Sequence, residues 1–419
     1  MTTPAAWSVV ERAARDAYGR LLSALAYRFR DIAAAEDALG DALGAALERW
    51  PETGVPRSPE AWLMAVAKNR LRHVARHRAV VSDPRTSAAL EELSIGLEQA
   101  TETTTDSRLN LMFVCAHPAI DASLRTPLML QTVLGLDALR IGRAFLVPGP
   151  TMGQRLVRAK QKIRDAGVPF DTPEGVDLSE RLGAVLEGVY AAFGSAWDDT
   201  AGGQDAPDTA QALPEPLAEE ALFLAQLLAQ QLPNEPEVLG LLSLMTFSHA
   251  RRSARVDADG AFVPLPLHDI SRWDRSAILD ADALLLRAAS FRRPGPFQLE
   301  AAIQSAHCQR AFSDRTPWSA IAALYDFLNR TWPTIGSQVA HAAVLTELRQ
   351  LEAAAALLAT LDAARVASYA PYWVVVAQLA SVRGEVETHS SALERAISLT
   401  ASPRLRLYLQ QRLAAGVQG

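Results

Sequence analysis

The sequence predicts an all-α, multidomain protein. Three observations carry that expectation. Ala and Leu are abundant within an apolar share of 49%, while aromatic residues supply 6%, a balance that favours helices. Apolar residues recur three and four positions apart through most of the chain, the spacing of a helix with one buried face. At 419 residues the chain also exceeds the size at which a single hydrophobic core stops growing, so about two to four domains are expected.

From Ala13 to Trp50 the spacing gives two helices. The second places Ile32, Ala35, Leu39, Ala42, Leu43, Ala46 and Leu47 on one side and the acids Glu36, Asp37, Asp41 and Glu48 on the other. Pro51 to Pro59 holds three prolines and a glycine, a composition that does not sustain a helix, and is expected to be a loop. A third helix starts at Pro59 and buries Trp62, Leu63, Val66, Ala67, Leu71 and Val74. Its end carries Lys68, Arg70, Arg72, Arg76 and Arg78 with His73 and His77 between them and no acid, the most concentrated positive segment of the chain. Val80 to Asp106 then changes character, with Glu91, Glu92, Glu98, Glu102 and Asp106 among Ser and Thr, as in an acidic linker.

Leu130 to Ala166 has the pattern of a helix-turn-helix with a basic second helix. Leu134, Leu136, Ile141 and Phe145 supply the apolar face of a scaffold helix, and Val147-Pro148-Gly149-Pro150 breaks the chain. Pro150 suits the first position of the next helix, where its missing N–H leaves no bond unmade. Met152, Leu156 and Ile163 form that helix's buried stripe. Arg155, Arg158 and Lys162 fall at i, i+3 and i+7, flanked by Lys160 and Arg164. Such a face can lie along phosphates while the helix N-terminus approaches base edges.

The net charge of −6 is unevenly spread. Residues 1–170 hold 22 Lys and Arg against 18 Asp and Glu, a net of +4, whereas the rest hold 19 against 29, a net of −10. One half is thus suited to a polyanion and the other is not. No apolar run approaches the roughly 20 residues that span a bilayer, and the first residues lack the pattern of a signal peptide, so a cytoplasmic protein without membrane contact is expected. Cys115 and Cys308 each lie in an apolar helical pattern, far apart, as buried reduced thiols do. A phosphate-binding glycine loop, a metal-ligand spacing and a glycine-flanked serine nucleophile are all missing, so neither an enzyme, a metal nor a cofactor is expected.

Beyond a Pro, Gly and Asp-rich boundary at Pro169 to Asp177 and a polar gap at Asp198 to Pro216, helical spacing resumes and continues to the end. Trp373, Gly384, Leu393 and Ala396 stand where a tetratricopeptide repeat places its large, glycine and small packing residues.

Together, AEDALGDALGAALERW, PRSPEAWLMAVAKNRLRHVARHR and PTMGQRLVRAKQKIR resemble the region 2 core helix, the helix after the promoter-melting loop, and the region 4 recognition helix of extracytoplasmic-function sigma factors of the sigma-70 family. The segment LMFVCAHPA, with HARRSARVDADGAFVPL, SRWDRSAI, RPGPFQLEAAI and IAALYDFL further on, resembles the subgroup with a long C-terminal helical extension. The resemblance implies region 2 at residues 1–80, an acidic linker at 81–108, region 4 at 109–168, a helical extension at 169–317 and a tetratricopeptide-like end at 318–419. It implies an alternative sigma factor that binds the β′ and β subunits of core RNA polymerase and promoter DNA. Glu36, Asp37, Asp41 and Glu48 are then the expected polymerase contacts by charge complementarity. Arg57, Lys68, Arg70, Arg72 and Arg76 are expected at the single-stranded −10 element. Thr151, Gln154 and Arg155 are placed for −35 base edges, and Arg158, Lys160 and Lys162 for phosphates. The extension is expected to regulate, with a small protein or ligand as its partner. The alternative is a one-component helix-turn-helix regulator whose helical domain senses a ligand or protein. Gly40, Gly44, Gly142 and Gly153 depart from the residues common at these positions in the family.

Overall fold

Ala17, Leu21, Leu22, Leu25 and Ala26 are all buried at helical spacing and form the inner face of the first helix, α1 (17–29). It belongs to a computed structural model that describes residues 17–82, 107–145, 147–199, 216–257, 260–313, 315–400 and 402–417. The linker residues between Ser82 and Ser107 and the polar gap at 200–215 lie outside the described residues. The chain divides into two compact units, Met1–Ala191 and Ala192–Gly419. The described residues are overwhelmingly helical, and an isolated antiparallel bridge between Val256 and Phe262 is the extent of β pairing among them.

In the first unit, Asp31 starts α2 (Ile32–Thr53) by accepting the Ala34 N–H at 3.0 Å, satisfying an otherwise orphan donor of the first turn. Ile32, Ala35, Ala38, Leu39, Ala42, Ala46 and Trp50 make its buried stripe. The helix runs on through Pro51 to Thr53, three residues into the expected loop. A proline in a last turn removes one hydrogen bond without breaking the helix, and Gly54, at φ 83°, supplies the stop. α3 (Pro59–Ser82) begins at the expected proline and packs on α2, with Trp62 edge-on to the buried Trp50 at 5.5 Å.

α4 (Arg108–Cys115) is almost wholly buried, and α5 (Ala122–Thr132) follows after Asp121 caps it through the Ser123 N–H. The expected single scaffold helix is divided here. Gly135, at φ 69°, turns the chain after α5, and Asp137 accepts the Arg140 N–H at 2.9 Å to start α6 (Ala138–Ala144). Leu136 and Ile141 are buried as expected, whereas Phe145, beyond the end of α6, is 37% exposed. α7 (Gly149–Asp165) follows, and α8 (Gly175–Asp199) lays Gly188 against the Met129 sulfur.

The second unit is a succession of packed helices: α9 (Pro216–Gln231), α10 (Pro236–Ala250), α11 (Arg275–Ser290), α12 (Pro296–Cys308), α13 (Arg310–Ser313), α14 (Trp318–Thr331), α15 (Ile335–Glu347), α16 (Leu351–Ala359), α17 (Ala363–Val366), α18 (Ala370–Arg383), α19 (Val386–Leu399) and α20 (Pro403–Val417). α10 is buried nearly all round and packs with both α11 and α12, which places it at the centre of its neighbours. Between α18 and α19, Gly384 takes the left-handed conformation at φ 75°, and Trp373, Leu393 and Ala396 share one apolar cluster. Cys115 and Cys308 are buried free thiols; burial pushes the first up to about 12 and the second to about 11.

Candidate polymerase and nucleic-acid surfaces

The polar side of α2 is set by its apolar stripe. With Ala35, Ala38, Leu39, Ala42 and Ala46 turned inward, Asp37, Asp41 and Glu48 are exposed. Asp41 is paired across the surface with Arg70 of α3 at 2.8 Å. Both side chains are more than half exposed, so the pair contributes little stability and is readily exchanged for other partners.

α3 holds the cationic side. Lys68 and Arg72 are half-buried one turn apart, Arg70 is exposed, and Arg57 stands exposed in the loop before them. Burial, and after it the like charges of Arg28 and Arg72, pull the Lys68 amine below its ordinary range. Arg28 comes from α1, and sequence spacing within α3 could not reveal it. Three cations drawn from two helices raise the local potential in the way that favours a polyanion. The side chains of Arg76 and Arg78 lie outside the described residues.

α7 buries Met152, Leu156, Ala159, Lys160 and Ile163 and exposes Thr151, Gln154, Arg155, Arg158 and Lys162. The exposed set runs from the first turn to the last along one side of the helix. Gly142 brings α6 close to its start, since a Cβ there would lie 2.5 Å from the Val147 carbonyl oxygen.

Lys160 and Glu36 depart from the expectation of two separate exposed contacts. Lys160 is 7% exposed, its ammonium donating to Glu36 of α2 and, at 3.1 Å, to Gln131 Oε1 of α5. Its position was legible: residue 160 is four after Leu156 and three before Ile163, which is the buried stripe. Glu36 Oε1 is buried without a partner, and burial, only partly offset by Lys160, raises the carboxyl above its ordinary range. The contact extends further. Arg164 reaches Asp31 at 3.4 Å, Tyr27 donates to Asp171 at 3.3 Å, and Gly19 approaches so closely that a Cβ would lie 1.8 Å from the Val133 carbonyl oxygen. Within the first unit, the acidic helix and the basic helix are therefore locked together.

A family model for sigma-70 region 2 matches residues 15–80, the span of α1, α2, the Arg57 loop and the cationic α3. Residues 15–80 thus carry a sigma-70 region 2 domain, which supports a sigma-70 family factor. As a sigma factor it acts in promoter recognition and transcription initiation, and its region 2 implies binding to core RNA polymerase. Members of this family are transcription factors, not enzymes. Residues 181–289 of the sigma factor match a family of unknown function (DUF6596). An uncharacterized protein of Rhizobium meliloti (strain 1021) is 35% identical over 399 residues, covering 94% of this sigma factor and 92% of that protein. The two belong to one family over nearly their whole length. No solved structure matches the chain. No helix among the described residues is long and apolar enough to cross a membrane.

Proposed function

We infer that this protein is an extracytoplasmic-function type sigma factor in which α6 and α7 form a region 4 helix-turn-helix and residues 169–419 are a regulatory extension with a tetratricopeptide-like end. The observation that carries this reading is the exposed face of α7, where Thr151, Gln154 and Arg155 stand at the start and Arg158 and Lys162 continue along the same helix. The first three reach −35 base edges and the last two neutralise phosphates. Asp37, Asp41 and Glu48 dock on the β′ subunit, and Arg57, Lys68, Arg70 and Arg72 hold the melted −10 strand. The exchangeable Asp41–Arg70 pair supports that division, because polymerase and DNA would each take one member. The shared cluster of Trp373, Leu393 and Ala396 beside Gly384 supports the tetratricopeptide-like end.

The Glu36–Lys160 contact adds a conformational requirement. The −10 and −35 elements lie about 25 base pairs apart, on the order of 80 Å of duplex at roughly 3.4 Å per pair. Two helices joined by a direct ion pair cannot contact both, so reading a whole promoter requires α7 to leave α2.

The test is run-off transcription with sigma-free core polymerase and pooled genomic fragments. Reversing Asp37 and Asp41 to Lys is expected to abolish transcripts while DNA affinity persists. Arg155→Ala relaxes base preference, and Lys162→Ala lowers the salt slope of DNA binding by about one. Sequence-specific DNA binding without polymerase association or transcripts would turn the assignment to a one-component regulator.

A further inference from the structure

The motifs HARRSARVDADGAFVPL and SRWDRSAI take no part in the promoter-reading surfaces, and in the second unit they meet around one indole. Trp273 is 5% exposed within the apolar cluster of Phe247, Ala254, Ile278 and Cys308. The guanidinium carbon of Arg310 lies 5.1 Å from its ring centre and that of Arg251 5.8 Å, while the His268 ring stands edge-on at 6.1 Å.

The polar bonds of this cluster are incomplete. Arg251 is 6% exposed and donates from Nε to the Phe247 carbonyl at 3.1 Å and from Nη2 to Gln304 Oε1, both neutral acceptors. Its Nη1 is buried without a partner. His268 is 8% exposed and meets the Val263 carbonyl oxygen through Nε2 at 3.1 Å. A carbonyl only accepts, so Nε2 carries the proton and the buried, unpartnered Nδ1 presents a lone pair. Trp273 Nε1 is a third buried polar atom with no partner. Native interiors leave few such atoms per hundred residues, and here one belongs to the indole and two to the side chains packed against it.

The charge is equally lopsided. Arg310 is committed to the carbonyls of Leu265, Pro266 and His268, so it fixes the loop and adds a cation beside the indole. From α12, His307 faces both arginines and Cys308 faces Arg251, and Arg255 acts on His268 from the loop. The acids nearby are committed elsewhere: Asp282 of α11 accepts the Ser305 hydroxyl at 2.6 Å, Asp269 accepts from Ser271, and Asp274 accepts from Ser276 and the Ala277 N–H. Arg251 has no ion pair among the described residues. A desolvated guanidinium held by neutral acceptors is stabilised most by an anion brought to it.

We propose that Arg251, Trp273 and His268, with Arg310 behind them, form a binding site for a small oxyanion of the phosphate or carboxylate class. Arg251 Nη1 and Trp273 Nε1 donate to its oxygens. His268 Nδ1 accepts from a hydroxyl on the anion or takes up a proton beside it. Three of the four residues lie within the segment that matches the family of unknown function, so this site gives the extension a chemical input. Anion binding at this site is independent of promoter reading and is measured without transcription.

The experiment follows thermal unfolding of the full chain in inorganic phosphate, in acetate and in chloride at equal ionic strength. Phosphate or acetate at a hundredfold excess over its Kd is expected to raise the melting temperature of the second unit by roughly 5–10 °C above chloride. The two arms separate the phosphate from the carboxylate source. Arg251→Met removes the response, and Trp273→Phe, which keeps a ring and loses the N–H, weakens apparent affinity at least about threefold. No response of the wild-type chain to either anion overturns the proposal without recourse to a variant. Equal responses in the wild type and Trp273→Phe overturn it as well, by marking a general ionic effect.

Discussion

Lys160 illustrates how far one residue's meaning depends on its neighbours. As a cation near the end of a basic helix it is a natural phosphate contact, yet it sits in the apolar stripe and its ammonium is bound to Glu36 and Gln131. Breaking a buried pair by removing one member leaves an uncompensated charge, which is more damaging than never having had the pair. Lys160→Met alone is therefore expected to destabilise the first unit by about 3 kcal/mol, and Glu36→Gln combined with Lys160→Met to recover most of that loss. Urea unfolding of the four chains in this cycle measures it. Strict additivity of the two changes would show the pair to be energetically silent. At the same scale, Gly19 is required by the approach of α1 to the Val133 carbonyl, where no side chain fits.

At the scale of the element, α2 and α7 are opposite cases. α2 carries Gly40 and Gly44 in its interior, and a Cβ at either would meet nothing within 4 Å. The helix persists because its buried stripe of Ile, Leu, Ala and Trp outweighs the lower propensity of two glycines. Gly40→Ala is expected to raise stability by roughly 1 kcal/mol, seen as a higher denaturant midpoint at unchanged slope. An unchanged or lowered midpoint would mean that this position answers to something other than helix propensity. In α7 the periodicity alone separates Met152, Leu156 and Ile163 from Arg155, Arg158 and Lys162, and the structure places each set on the expected side. The scaffold before it was harder to read. Leu134 to Phe145 fits one helix by spacing, and only the positive φ of Gly135 together with the Asp137 cap divides it. A glycine inside an apolar pattern is compatible with either outcome, since its cost in a helix is small beside that of packing.

At the scale of the whole molecule, the two compact units carry different chemistry. The first presents the acidic and basic helices, and the second holds buried imidazoles among arginines. Burial, with Arg251 and Arg310 beside them, brings His268 and His307 down to about 4 from the ordinary 6.5. As the pH falls below about 6.5 the unfolded chain takes up protons at these positions that the folded unit refuses until about 4. Stability of the second unit is thus expected to decline from pH 6.5 to pH 4 and to level off below that. Urea midpoints across this range measure the decline, and His307→Gln is expected to flatten it. A midpoint independent of pH over that window would place both imidazoles in a more solvated setting than the structure gives them.

Helical class, the charge division between the halves and the exposed faces of α2, α3 and α7 were determined by the sequence itself. They follow from period and composition, which are local properties: three-to-four spacing turns apolar residues inward and leaves charges outward whatever the rest of the chain does. Tertiary structure decided which charges meet. The approach of α7 to α2 buried Lys160 against Glu36, α1 brought Arg28 to Lys68, and the end of α10, the segment that follows it and α13 gathered Arg251, His268, Trp273 and Arg310 from positions up to 59 residues apart. Spacing along a chain does not encode such encounters, because the energy of a charge depends on its distance to others and on how much water lies between them.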